Sequence, residues 1–581
     1  MCGIAGFVAK EPENLSSERV EAMLEAQKHR GPDSQGFQRL DNQIILGHNR
    51  LSIIDLSASA NQPFFSGDRR YCLVFNGEVY NYLELRRELK PFYNFTTSSD
   101  TEVLLAAYIT WGETMLDRLV GMFAFAIYDR QTKELFMARD RFGVKPFYYA
   151  ITSTGDFIFA SEIKALHAAG IARVSNEVMW SCYLVSGLYQ YENQTFWEGV
   201  FQLKAGHFMR LKADSQSGLP EQSEWYDFVA NVKALKEEQE VSGRSEEAHL
   251  RHYKSLLEES IALRFRSDVP VGFNLSGGLD SSLLLSLVDA FKPDTPIEGF
   301  TFYCNDPRYD ELPWVEGLIA EKNKPLNKVL MEARDVPGLS QGVMHFQDEP
   351  YGGIPTLAYS KIFEQAREKG TIVLLDGQGM DEAWAGYDYY HRNSDSVVQG
   401  VKRSPLRPEV LKEEFATRTI GVTYPSPFKD DLLNKQYRDL FHTKIPRALR
   451  FNDRISMMHS TELREPFLDH RLVEYAFALP TELKVRNEST KWGLRKLAKG
   501  YIENDLVLAP KRPLQTPQRE WLTEDLIDWI EGEIQELAGH PWFNGEELKN
   551  SWADFKKSDK ENTFFLWQWL SVQLMDKVSE R

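Results

Sequence analysis

The sequence predicts an α/β protein of two large domains, the second built on a parallel sheet. Three observations carry this. At 581 residues the chain exceeds what one hydrophobic core organises. Residues 1–210 alternate apolar runs of strand length with two or three helical stretches. From residue 249 onward strands and helices alternate, the pattern of parallel strands joined by crossover helices.

In the first part, Gln43–His48 and Tyr71–Asn76 have strand character and end in polar turn residues. Gly121–Asp129 is an apolar run of strand length, and a turn at 129–132 leads to a second, Leu135–Ala138, which completes a hairpin. Apolar residues recur at helical spacing over Tyr80–Leu89 and Asp100–Trp111, the latter capped by Ser99 or Asp100. Residues 211–248 are polar, with Trp225 and Tyr226 as the apolar anchor, and predict a linker between domains 1–210 and 249–581. The spacing then predicts helices over His249–Phe265, Ser281–Phe291 and Trp314–Lys322, and strands over Val269–Leu275, Ile297–Tyr303 and Thr371–Leu375. Beyond about residue 400 helices dominate.

Composition excludes several function classes. A formal charge of −17 argues against a general nucleic-acid or membrane-surface binder. Cys2, Cys72, Cys182 and Cys304 form no zinc-ligand spacing, and such sparse usage suits a reducing compartment. No apolar run approaches the roughly 20 residues that a bilayer requires, and the start of the chain lacks the pattern of a secretory leader. A cytoplasmic protein is the expectation.

Three segments carry chemistry. Removal of Met1 would leave Cys2 with a thiol and a free α-amine, nucleophile and base in one residue. The strand ending at Leu275 runs into Ser276-Gly277-Gly278-Leu279-Asp280-Ser281-Ser282 and then a helix. Glycine N–H groups, hydroxyls and a helix N-terminus make that turn a pyrophosphate cradle, with Asp280 placed for a bridging Mg²⁺. It is not the GTPase-type loop, because no Gly-Lys-Ser/Thr follows. Asp376-Gly377-Gln378-Gly379-Met380-Asp381-Glu382 also follows an apolar strand, so Asp381 and Asp280 are expected to converge on one metal-bound pyrophosphate.

Cys2-Gly3-Ile4 and the S-G-G-x-D-S loop on one chain together resemble the glutamine-hydrolysing asparagine synthetase family. His29–Asp33, Gly47–Asp55, Phe75–Asn81 and Ser99–Glu102 look like class II glutaminase motifs, and Arg139–Pro146 like the stretch after them. Arg450–Arg454 and Arg464–Arg471 look like the family's helical signatures, and Lys491–Lys496 like its catalytic-lysine segment. The resemblance runs in order to about residue 525. It implies an N-terminal-nucleophile αββα sandwich followed by an α/β nucleotide-binding (PP-loop) domain with a helical C-terminal part.

The resemblance also implies roles. Cys2 would attack the glutamine amide, Asn76 and the Gly77 N–H would hold the oxyanion, Arg50 the substrate carboxylate, and Glu78 and Asp100 its ammonium. ATP would lie against Leu275, Ser276, Gly277, Gly278, Asp280, Ser281 and Ser282, with Phe302 near the base and Asp376 and Gly377 beside the nucleotide. Mg²⁺ would sit on Asp280 and Asp381, and Lys491 would neutralise departing pyrophosphate. Arg464 and Glu465 read as a helix-end ion pair. Aspartate is the family's usual acceptor. Gln378 stands where asparagine synthetases commonly carry an acid, which keeps a sugar acid or secondary metabolite as the alternative acceptor. A non-catalytic glutamine or nucleotide sensor is the alternative of another class. Dimerisation is common in the family, so a homodimer is an assembly the resemblance allows.

Overall fold

The computed structural model describes residues 2–213, 218–291, 297–390, 405–502, 504–509, 516–557 and 562–579. In the first part the strands are β1 (Gly3–Val8), β2 (Ser34–Arg39), β3 (Ile44–Arg50), β4 (Phe64–Phe65), β5 (Tyr71–Val79) and β6 (Gly121–Asp129). They continue with β7 (Glu134–Arg139), β8 (Tyr148–Ile151), β9 (Phe157–Ala160), β10 (Val200–Gln202), β11 (His207–Lys212) and β12 (Gln222–Glu224). They form two six-stranded sheets, ordered β10-β8-β9-β1-β3-β2 and β12-β11-β7-β6-β5-β4.

β1 shows why the sheets stack. Alternate side chains leave opposite faces of a strand, yet every residue of Gly3–Val8 is buried. Ile4 and Val8 pack with Val74, Ala126 and Met137 of the second sheet. Ala5 and Phe7 pack with Val20, Met23 and Leu24 of the helix Ser17–Ala26. On the far side, Leu73 and Phe75 of β5 pack under Val103 and Leu104 of the helix Asp100–Trp111. Helix, sheet, sheet and helix follow in that order, the expected αββα sandwich.

In the expected linker at 211–248, the described residues from 222 onward are largely in regular structure. β12 pairs antiparallel with β11, Trp225 stacks on Phe123 with centroids 6.1 Å apart, and Phe228–Ser242 is a helix. Its few apolar residues suffice because they pack on both halves of the chain: Phe228 meets Phe477 at 4.9 Å. A polar composition predicted exposure but not docking.

The second part is a parallel sheet of β13 (Val271–Asn274), β14 (Gly299–Tyr303), β15 (Leu326–Leu330), β16 (Val373–Leu375) and β17 (Glu462–Arg464), in the order β15-β14-β13-β16-β17. Strand order reverses at β13, so the loops after β13 and β16 open a crevice between them, where ligands of such sheets bind. Helices dominate beyond β16, among them Lys444–Met458, which precedes β17, and Phe564–Ser579. Among the described residues no helix is long and apolar enough to cross a membrane.

Arg464 and Glu465 depart from the sequence reading. Arg464 closes β17 and Glu465 precedes a short 3-10 turn, Pro466–Leu468, so neither belongs to a helix-end pair. Helical neighbours on both sides concealed a three-residue strand whose partner lies about ninety positions away, β16.

Candidate active sites

Cys2 sits at the mouth of β1, 8% exposed. Its backbone nitrogen donates to Asn76 Oδ1 at 3.0 Å, and Arg30 Nε donates to its carbonyl at 3.0 Å. The thiol lies 3.9 Å from the Leu51 carbonyl. Burial pushes the thiol pKa up, against the Leu51 contact and the Arg50 charge that lower it.

Asn76 and Gly77 lie inside β5, opposite Ala124 and Phe123 of β6, rather than in a turn. With Oδ1 committed to Cys2, Asn76 Nδ2 is buried without a hydrogen-bond partner among the described residues. Such a donor costs about 1–3 kcal/mol, and an oxyanion formed beside the Cys2 sulphur would satisfy it. Gly77 is required sterically, since a Cβ there would lie 2.1 Å from the Met122 carbonyl oxygen.

Arg50 ends β3, and its guanidinium donates to the Ser57 carbonyl and Asn61 Oδ1, both at 2.7 Å, and to the Asp55 carbonyl. Both Nη groups thus hold the loop 51–61, and a substrate carboxylate would have to displace these acceptors. Glu78 is buried, with Oε2 unpaired among the described residues and Oε1 3.5 Å from Arg464 Nη2. Burial, then the charges of Glu462 and Asp100, push its pKa well above the usual range. Asp100, behind the Ser99 cap, accepts from the Val79 N–H at 3.0 Å, and burial pushes its pKa up to about 6. Two buried carboxylates in this state favour a cationic partner.

The second site forms on the crevice. After β13 the loop folds onto itself: Ser281 Oγ donates to the Ser276 carbonyl at 2.7 Å and Ser282 Oγ to the Gly278 carbonyl at 2.8 Å. The Gly277 N–H points to Glu311 Oε2 at 3.2 Å. After β16, the Asp376 N–H donates to the Arg464 carbonyl at 3.0 Å, and burial pushes the Asp376 pKa up to about 6. Lys491 Nζ lies 2.6 Å from Asp280 Oδ2 and 2.6 Å from Asp381 Oδ1. The two carboxylates thus lie together, joined by the lysine. Lys491 has φ 54°, a left-handed value that costs a side-chain residue of order 1–3 kcal/mol. Gly386 allows the pair to close, because a Cβ there would fall 2.0 Å from Asp381 Oδ1 and 2.4 Å from Lys491 Cε.

These loops line a cavity of about 1060 Å³ that continues to Tyr189, Arg450 and Phe451. Two adjacent carboxylates beside a phosphate loop suit Mg²⁺, which takes its remaining ligands from water and phosphate. No cluster of three or more His, Cys, Asp or Glu side chains among the described residues offers an all-protein cage.

Leu275 and Phe302 both line a small cavity beside the loop, with Asn274, Ser276, Thr301 and Tyr309, and that cavity shares Ser276, Glu311 and Tyr359 with the larger one. Phe302 belongs to β14, next to β13 in the sheet, and packs on Tyr359 at 6.3 Å. Sequence reasoning passed over Glu311 at the loop and Arg30 behind Cys2. Arg30 also binds Glu162 and Asp453, at 2.8 and 2.9 Å, and so ties the two parts together. Only the His29–Asp33 motif hinted at it; Glu311 left no local signal.

Residues 1–226 match the glutamine amidotransferase domain family and residues 252–577 the asparagine synthase family. Fold and sites thus define a glutamine amidotransferase with a synthase half on the same chain. The chain belongs to the asparagine synthase family. It is 29% identical to asparagine synthetase [glutamine-hydrolyzing] 1 of Bacillus subtilis over all of this chain and 97% of that one. It is 29% identical to that organism's asparagine synthetase 3, over 91% of this chain and 89% of that one. It is also 27% identical to amidase chry2 of Gibberella zeae, over 90% of each.

Proposed function

We propose that the chain is a glutamine-dependent amide ligase whose acceptor is aspartate. Once Met1 is removed, the Cys2 amine takes the thiol proton and sulphur attacks the glutamine side-chain amide carbon. Asn76 Nδ2 and the Gly77 N–H stabilise the oxyanion. Ammonia leaves, and water cleaves the thioester to glutamate. In the crevice the acceptor carboxylate attacks the α-phosphorus of ATP, pyrophosphate departs past Lys491, and ammonia displaces AMP from the acyl-adenylate to give the amide. Mg²⁺ on Asp280 and Asp381 would supply neutralisation of phosphate charge. Ammonia is mostly protonated in water, so a passage to the crevice that excludes solvent would preserve the nucleophile.

The observation that carries this reading is Asn76, which holds the Cys2 nitrogen and keeps a buried donor for the oxyanion. One observation favours a second acceptor class. The cavity runs beyond the phosphate loop to Tyr189 and Arg450, and Gln378 lines it without a negative charge. A larger carboxylate fits that description, and an amidase is among the relatives.

Pyrophosphate release with ATP, glutamine and a panel of carboxylic acids tests both readings. Turnover with aspartate is expected. Background with aspartate and turnover with a bulkier acid would replace the first reading by the second. No glutamate and no pyrophosphate under any condition would leave only a sensor.

A further inference from the structure

One residue of β17 touches both sites. The Arg464 carbonyl accepts the Asp376 N–H at 3.0 Å and so anchors the loop after β16. Its side chain is fully buried and reaches the glutamine side. There Nη1 donates to the carbonyls of Arg264 at 2.6 Å and Arg266 at 2.8 Å, and Nε to Glu462 Oε1 at 2.6 Å. Nη2 has no hydrogen-bond partner among the described residues and stops 3.5 Å short of Glu78 Oε1. Glu78 Oε2 is unpaired too. A buried arginine and carboxylate normally close to about 2.7–2.9 Å in two parallel bonds. Here the other three bonds of the guanidinium hold the pair open.

We propose that Arg464 is a positioning residue that couples occupancy of the glutamine site to the nucleotide loop at Asp376. The inference rests on the reading of Glu78 as partner of the glutamine ammonium. Glu78 then has two arrangements. With the site empty, the Arg464 guanidinium is a cation that faces it. With glutamine present, the substrate ammonium takes that place and repels the guanidinium toward Glu462. Arg464 is a strand residue, so its shift passes through its carbonyl to the Asp376 N–H. Charges buried this deeply are weakly screened, which keeps the two arrangements distinct. By linkage, glutamine must change ATP affinity by the same factor as ATP changes glutamine affinity.

The test is calorimetric titration of MgATP into full-length Cys2→Ala protein, which lacks the nucleophile needed to hydrolyse glutamine, with and without saturating glutamine. Glutamine is expected to change the ATP Kd about fivefold or more, the lower end of usual coupling. In the Cys2→Ala/Arg464→Lys protein, which keeps the charge but loses the planar fork, that ratio is expected to fall to about one. A ratio is insensitive to a uniform loss of affinity, so a merely structural role would not move it. An ATP Kd unchanged by glutamine in Cys2→Ala protein overturns the proposal whether or not the double variant folds. An undiminished ratio in a folded double variant overturns it as well. Absence of glutamate release by the unmodified protein would instead remove the functional reading, and this proposal with it.

Discussion

The Lys491 ammonium stands 2.6 Å from Asp381 Oδ1 while its other contacts go to Asp280, so one cation holds together the two carboxylates that frame the phosphate loop. Burial acts against its charge, but the two carboxylates win and keep its pKa above the ordinary value. Lys491→Met would take this cation from both acids and remove the countercharge for pyrophosphate. Pyrophosphate release should fall about 10²–10³-fold, the usual loss of one transition-state donor. Glutamate release without ATP should stay within about twofold, as measured by coupled assay on the same preparation.

Cys2→Ala should abolish glutamate release, by at least about 10³-fold, because it removes the sulphur whose residue Asn76 holds. Synthesis driven by added ammonium salt should persist. Intact-mass measurement of the unmodified protein should show Met1 removed. A retained Met1 in fully active protein would contradict the amine's role as base.

Asp100 sets a pH dependence for the glutamine site. Its pKa, pushed up to about 6 by burial, means that the empty site is largely protonated below that pH. A substrate ammonium favours the carboxylate, so binding releases a proton near and below pH 6. Glutamine KM should therefore fall as pH rises from 5 through about 6 and level off above it. Asp100→Asn should raise KM and flatten that limb. Calorimetry in two buffers of different ionisation enthalpy reads the proton directly.

Gly77→Ala places a methyl group 2.1 Å from the Met122 carbonyl, inside the β5–β6 pair. The strands must part to admit it, at a cost of about 1–3 kcal/mol. Denaturant unfolding should show that loss, and glutamate release should fall with it, because the same strand carries Asn76.

Asp453→Ala removes a carboxylate that is 5% exposed and lies 2.9 Å from Arg30. Arg30 keeps Glu162, but the balance of a buried cluster is lost, and about 3–5 kcal/mol of stability should go with it. Since Arg30 also holds the Cys2 carbonyl, glutaminase activity should fall more than stability alone predicts.

Local order was legible in the sequence wherever chemistry and chain order coincide. The Ser276–Ser282 turn declared a phosphate cradle because its glycines, hydroxyls and helix start are consecutive. The αββα layering followed from family motifs, and the central strands declared themselves by apolar runs such as Gly121–Asp129. What could not be read depends on partners distant along the chain. Asn76-Gly77 looks like a turn in isolation and becomes mid-strand only because β6 lies beside it. Residues 211–248 look like a tether, yet those from 222 onward become structure by docking on two surfaces. Phe302 comes to lie beside Asn274 and Ser276 only because β14 pairs with β13.

The sequence by itself determined which reactive groups the chain owns and the order in which it presents them. Tertiary structure alone decided that Arg464, in a short strand flanked by helices, would stand between Glu78 and Asp376. The reason is physical: a strand's hydrogen bonds and a buried ion pair are both made across space, and neither leaves a periodic mark on the residues that make it.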